Sequence, residues 1–242
     1  MKQKLLLVTL VLISFAAVAQ WPFNKVEGNG VIKKEKREVG SFSAISSSGA
    51  WDVMLAYGNS GSIEIEGDEN LLEHIETKVE DGKLIIRTKN RENIQSRRKI
   101  VIYASATTLK SVSQSGSGDI IGEGKFENSG STKISVSGSG SIRLNFKQFA
   151  QTDVSVSGSG NIKLEGTTQK LSGRVSGSGN IDCDNLIADD VEAGISGSGN
   201  MKAYAAVSIS ASISGSGNVY YRGNAKQVST RTSGSGRVKK RD

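Results

Sequence analysis

Lys133-Ile134-Ser135-Val136-Ser137-Gly138-Ser139-Gly140-Ser141-Ile142-Arg143-Leu144 is the stretch that decides the fold. Ile134, Val136, Gly138, Gly140, Ile142 and Leu144 share one parity, while Lys133, Ser135, Ser137, Ser139, Ser141 and Arg143 share the other. Successive side chains of a β-strand point to opposite faces, so this is a strand pattern with one buried face. The Ser-Gly-Ser-Gly motif inside it starts at Ser115, Ser137, Ser157, Ser176, Ser196, Ser214 and Ser233, at spacings of 22, 20, 19, 20, 18 and 19 residues. A period near twenty is the mark of a chain that coils and stacks on itself. Each coil returns to its starting phase, so equivalent strands lie parallel, and the crossover rule makes the winding right-handed.

The expected fold is therefore all-β: a right-handed parallel β-helix, or β-solenoid, with about 20 residues per rung. An antiparallel β-sandwich is the alternative, but it would need a tight turn about every ten residues. The residue before each motif is Gln114, Val136, Val156, Val175, Ile195, Ile213 or Thr232; five positions after its first serine stands Ile120, Ile142, Ile162, Ile181, Met201, Val219 or Val238. These two columns should stack into the core, with Gln114 and Thr232 at the ends of the array. The glycines, on the inward parity, mark a corner of the coil, and the serines form outward ladders at a strand spacing of about 4.8 Å. Asn161, Asn180, Asn200 and Asn218 share one position after the motif and predict an Asn ladder or a left-handed corner.

Composition agrees with a thin core. Aromatic residues make up 5% of the 242, too few to fill the centre of a compact globule, whereas small aliphatics can fill a solenoid rung by rung. Cys183 is the only cysteine, which excludes an intrachain disulfide, and its parity places it in the core as a small hydrophobe.

The chain opens with Lys2 and Lys4, an apolar run from Leu5 to Val18, and Ala17-Val18-Ala19. This is the pattern of a cleaved secretory leader, residues 1–19, leaving Gln20 at the mature N-terminus. The apolar run is short of the roughly twenty residues that span a bilayer. No cysteine stands directly after the cleavage site to carry a lipid, and no later run is apolar enough to cross a membrane. Export to the periplasm or cell surface is the expectation. Loss of Lys2 and Lys4 leaves a moderately basic protein, open to anionic partners.

Residues 20–40 are polar, with Lys33-Lys34-Glu35-Lys36-Arg37-Glu38 reading as a solvated linker or edge strand. Residues 41–237 form one solenoid domain: atypical first coils or a cap over 41–114, then seven motif rungs over 115–237, with 238–242 a basic tail. Ser48-Gly49-Ala50-Trp51-Asp52-Val53-Met54-Leu55 is a degenerate motif copy and should be the first, capping-side rung. Strands are expected at Ser62–Glu66, Lys83–Thr88 and Ile100–Tyr103. A short helix from Asp68 to Ile75 has Asp68 as a candidate N-cap, and Arg91 to Lys99 is a basic loop.

The succession Phe42-Ser43-Ala44-Ile45, Gly49-Ala50-Trp51-Asp52-Val53, Gly67-Asp68-Glu69-Asn70-Leu71-Leu72, Glu80-Asp81-Gly82-Lys83-Leu84 and then the repeated Ser-Gly-Ser-Gly-x-Ile resembles the family known as putative auto-transporter adhesin, head GIN domain. The resemblance covers about residues 40–225. It implies a β-helical envelope protein of Gram-negative bacteria with an adhesin role, and no catalytic residues. The chain leaves no room for a C-terminal translocator barrel, so self-transport is not expected of it.

Nothing in the residues points to an enzyme. His74 is the sole histidine and falls on the polar side of a short helix. The motif serines have no base beside them and are architecture. No metal or cofactor is expected; Asp182, Asp184, Asp189 and Asp190 read as a solvated acidic loop rather than a calcium site. The candidate binding feature is an outward column, Ile121, Arg143, Lys163, Asp182, Lys202, Tyr220 and Lys239, with Tyr204 beside it. Arg143, Lys163, Lys202, Tyr204 and Tyr220 would form a stripe for an anionic glycan or other envelope polymer, not nucleic acid. A solvated strand face is the plainer reading of the same residues. A polysaccharide-processing β-helix would need converging carboxylates in repeated register, which are absent. A Thr array suited to ice is absent too, and a purely structural envelope protein is the remaining alternative.

Overall fold

The computed structural model describes residues 25–128 and 130–241; the expected leader, its cleavage site and the first residues after it lie outside them. The chain forms a β-solenoid of about six turns with roughly 20 residues per turn. Strands leading into the motif make one face, from Ser111–Gly116 through Ser131–Gly138 and Phe149–Gly158 to the later parts of Asn161–Gly177, Asn180–Gly197 and Asn200–Gly215, ending at Gln227–Ser233. Strands leaving it make a second face, from Asp119–Glu123 and Ser141–Asn145 to Asn218–Arg222 and Arg237–Lys240. A short third side pairs Glu165 to Thr168 with Asn185 to Ala188. Pairing between rungs is parallel throughout, because every turn repeats the same phase.

The two motif glycines do different things, which parity alone does not reveal. The first is not inward: Gly177 turns the corner at φ +115°, where its carbonyl accepts hydrogen bonds from both Ser198 N and Gly199 N of the next rung, at 2.9 and 3.0 Å. The second is buried, and a Cβ on Gly179 would come within 2.5 Å of Val156 Cγ1. The same two-donor bond recurs in five successive rungs, onto Gly116, Gly138, Gly158, Gly177 and Gly197. Beside it runs the Asn ladder, with Asn180 Nδ2 donating to Asn161 Oδ1 at 2.9 Å and Asn200 Nδ2 to Asn180 Oδ1 at 3.1 Å.

Both predicted core columns are buried over most of the array, and volume is conserved between rungs rather than within positions. Where Gly173 replaces an aliphatic, the Met201 thioether occupies the space. Where Gly122 does so, Leu144 and Phe126 fill in. Phe126, Phe146 and Phe149 pack at centroid separations of 5.9 and 4.0 Å along one corner, so the phenylalanine packing of the array is concentrated in its early rungs. Cys183 is fully buried, and burial together with the Asp182 charge pushes its thiol well above the ordinary range. A thiol reagent should therefore leave Cys183 unmodified in the folded protein and label it stoichiometrically in denaturant, as read by intact mass. Fast labelling of the native protein would contradict this burial.

The cap departs from chain order. Ser48–Leu55 belongs to a coil formed by Ala44–Gly49 and Asp52–Tyr57, but this is not the outermost layer. Ala44–Gly49 lies between Lys83–Thr88 and Ser111–Gly116, and Asp52–Tyr57 between Val101–Ala106 and Asp119–Glu123, all parallel. Gln114 is consequently an interior residue, its amide donating to the Gly49 carbonyl at 3.4 Å beside a buried Trp51 that donates to Ser47 Oγ at 3.0 Å. Beyond these coils the pairing turns antiparallel. Ile75–Glu80 closes a hairpin on Lys83–Thr88 around Asp81 and Gly82, both at positive φ, as a tight two-residue turn demands. Ser62–Asp68 pairs with Val101–Ala106, and Ile32–Glu38 pairs with Ser62–Asp68 as the edge strand. The charges of Lys33 to Glu38 thus fall on a free edge, where they oppose end-to-end pairing.

The helix is shorter than expected, Glu69–Leu72, with Leu71, Leu72 and Ile75 buried as their spacing implies. Asp68 precedes it without capping it through its side chain. That buried carboxylate instead accepts from Gly30 N at 2.7 Å, Ser96 Oγ at 2.8 Å and Arg97 N at 3.0 Å, fastening three segments together. Burial alone would raise its pKa, but the hydrogen bonds from Ser96, Arg97, Gly30 and Arg98 outweigh this and hold it below the ordinary value of 3.8. At the other end the basic tail begins within the sheet: Arg237–Lys240 pairs with Asn218–Arg222 as the last strand of the second face.

Candidate functional site

The second face carries the predicted stripe. Register places Ile121 beside Arg143, Arg143 beside Lys163, Lys163 beside Asp182, Asp182 beside Lys202, Lys202 beside Tyr220 and Tyr220 beside Lys239. Neighbouring members are one strand apart, about 4.8 Å. The alternation that buries Ile142, Ile162, Ile181, Met201 and Val219 forces these side chains outward.

The column is less uniformly positive than its sequence suggests. Lys163 Nζ lies 3.1 Å from Glu165 and Lys202 Nζ 3.5 Å from Asp182. Among the described residues, Arg143 and Lys239 have no carboxylate within ion-pair distance. Such exposed pairs are weak and exchange readily with water or with a stronger anion.

Tyr204 and Tyr220 each meet a cation that the stripe reading missed. Arg222 stands over the Tyr204 ring at 5.6 Å and Arg241 over the Tyr220 ring at 5.9 Å. Both arginines converge on a bulge. The pairing of Asn180–Gly197 with Asn200–Gly215 slips between Cys183 and Ile187, so Asp184 and Asn185 protrude. Arg222 Nη2 donates to the Asp184 carbonyl at 2.9 Å and to Asn185 Oδ1 at 3.0 Å, and Arg241 Nη2 to Asp184 Oδ1 at 2.7 Å. Continuing the outward parity from Tyr220 would have found Arg222. The role of Asp184 depends on a slip that only the next rung reveals. The outward positions of the second face from Arg143 to Arg241 thus hold seven cations, Arg143, Lys163, Lys202, Arg222, Arg237, Lys239 and Arg241, against Glu165, Asp182 and Asp184.

The remaining candidates resolve as structure. His74 Nδ1 is 2.6 Å from Glu92 Oε2, which ties the helix to the cap loop. Asp190 accepts from Ser208 Oγ at 2.6 Å, away from Asp182 and Asp184. Among the described residues, no three His, Cys, Asp or Glu side chains converge as a metal site. Nor is any helix among them long and apolar enough to cross a membrane.

A parallel solenoid with glycine corners and an antiparallel cap defines the class to which this protein belongs. Residues 41–225 match the family described as putative auto-transporter adhesin, head GIN domain, and the chain belongs to that family. Its fold is similar to that of a putative adhesin from Bacteroides fragilis, at 24% identity and a TM-score of 0.79 over 89% of this chain and 100% of that one. A putative lipid binding protein from Parabacteroides distasonis is similar at 24% identity and a TM-score of 0.72, over 90% of this chain and all of the other. So is a putative adhesin from Parabacteroides merdae, at 25% identity and a TM-score of 0.71 over 90% of this chain and 100% of that one. No curated protein sequence matches this chain.

Proposed function

We propose that this protein is an exported, non-enzymatic β-solenoid that binds an anionic glycan or another anionic envelope polymer along its second face. The observation that carries the reading is the unbroken register from Arg143 to Lys239, which repeats a cation or an aromatic ring at nearly every rung. A polymer with a charge on each repeat unit can engage such a column at several points, so weak contacts add through effective concentration. Glu165 and Asp182 would yield their lysines to the incoming anions, and Tyr204 and Tyr220 would stack on sugar in exchange for the Arg222 and Arg241 guanidiniums that stand over their rings. Membership of an adhesin family supports this use of the scaffold.

The test is a glycan-array and titration comparison of the mature protein with the Arg143→Ala/Lys163→Ala/Lys202→Ala variant. Three exposed cations should together be worth roughly a tenfold loss of affinity for uronate- or sulfate-bearing polysaccharide, with binding of both proteins weakening as salt rises. The thermal midpoint should barely move. Equal binding by the two proteins would sink the stripe, and an absence of binding to any anionic polymer would leave the face as a solvated surface.

A further inference from the structure

The corner column described above stops at one coil, and the place where it stops is a second candidate site. In each of five successive rungs, two backbone N–H groups at the corner point toward the cap and bond to a glycine carbonyl in the rung before. In the coil containing Ala44–Gly49 and Asp52–Tyr57, the equivalent donors are Ala50 N and Trp51 N. The coil beyond it does not turn the same corner. Between Lys83–Thr88 and Val101–Ala106 the chain leaves on the excursion 89–100, and no glycine carbonyl takes the acceptor position. Among the described residues, neither Ala50 N nor Trp51 N has a hydrogen-bond partner. Both residues line a cleft of about 570 Å³.

The opposite wall of this cleft is basic, and its backbone is fixed. Arg97 and Arg98 line it, and among the described residues neither has a carboxylate within ion-pair distance. Asp68 holds Ser96 and Arg97 in place from behind, and Lys99 is clamped to Asp52 at 2.7 Å. Glu92, the one acid on the wall, is engaged by His74. Ile94, which is partly exposed, supplies apolar surface between the two walls, where only the edges of the buried Trp51 and Ile100 reach the cleft.

Adjacent unpartnered backbone N–H groups and two arginines lining one cleft form a receptor for an oxyanion attached to a ring-sized body. The volume suits a small ligand rather than a polymer lying along the surface. We infer that the cap cleft binds a carboxylate- or phosphate-bearing sugar, the anion on Ala50 N, Trp51 N and the Arg97 and Arg98 guanidiniums, the ring against Ile94. This site is distinct from the stripe on the second face, and neither proposal depends on the other.

The experiment is an NMR titration of the ¹⁵N-labelled mature protein with glucuronate, glucose 6-phosphate, glucose and inorganic phosphate. The Ala50 and Trp51 amide resonances should shift with the sugar acid or the sugar phosphate and stay still with glucose. An Arg97→Ala/Arg98→Ala variant, altered only in exposed side chains, should keep the dispersed spectrum of the parent and bind about tenfold or more weakly. The glucuronate and glucose 6-phosphate arms distinguish a carboxylate from a phosphate source. Unmoved amides with both, or undiminished binding by the double variant, would overturn the proposal. Inorganic phosphate binding as tightly as either sugar would overturn the assignment to a sugar.

Discussion

Gly177→Ala in the middle of the solenoid should lower stability by about 3–5 kcal/mol, bringing the thermal midpoint down by roughly 10 °C. Two costs combine. At φ +115° an L-residue is strained by about 1–3 kcal/mol, because its Cβ meets backbone that glycine avoids. The new Cβ would also lie 2.6 Å from the Gly158 carbonyl oxygen, which already accepts from Ser178 N and Gly179 N at 2.9 Å each. Moving that oxygen weakens both bonds, at about 1 kcal/mol apiece, and the backbone on either side is too tightly stacked to absorb the shift. Gly40→Ala is the internal control. Its φ is +84°, but a Cβ there would meet nothing within 4 Å, so its effect should be less than half as large. Equal losses at the two positions, measured by urea or thermal unfolding, would mean that local strain alone decides and that the carbonyl column contributes nothing.

Asp68→Asn should cost on the order of 3 kcal/mol at neutral pH, from charge-assisted hydrogen bonds of about 1.5–3 kcal/mol each that an amide can only partly replace. The carboxylate accepts from donors on both of its oxygens, Gly30 N on one and Ser96 Oγ with Arg97 N on the other. An amide nitrogen facing either set presents a donor to donors. The pH dependence follows from the depressed pKa. Because the folded-state value lies below the ordinary 3.8, the contribution is fully present above that value and is lost as pH falls through the lower folded value. The stability gap between parent and Asp68→Asn should therefore be constant from pH 7 to about 5 and close in the acid range. A gap that persists unchanged at pH 2 would show that the side chain acts by shape and not by charge.

The repeat array was readable from its residues because its information is local. One rung, Lys133 to Leu144, contains its own inward set, its own outward set and its corner, and the other six copies of the motif merely repeat it. The stripe was readable for the same reason, since parallel register turns an interval of about twenty residues into adjacency. The cap was not. That Ala44–Gly49 is flanked by Lys83–Thr88 on one side and Ser111–Gly116 on the other is a statement about long-range pairing, to which no periodicity in 41–114 corresponds. Asp68 was identified by its position before a helix, whereas its partners are 28 to 38 residues away. The convergence of Arg222 and Arg241 on Asp184 depends on a bulge, and a bulge is visible only against the strand it fails to match. Even the first motif glycine was misplaced by strict alternation, because positive φ breaks the parity at the corner it creates.

The unlike ends of the molecule give its architecture a polarity in length. At one end, antiparallel strands and a charged edge occupy the positions where another coil could add. At the other, Gln227–Ser233 and Arg237–Lys240 still present the phase of a regular rung. Duplication or deletion of a twenty-residue unit is therefore compatible with the fold along the array but not through the cap, whose coils are interleaved in an order the chain cannot repeat. A lineage built on this plan can change how far it reaches without redesigning what anchors it, and the second face lengthens or shortens in step.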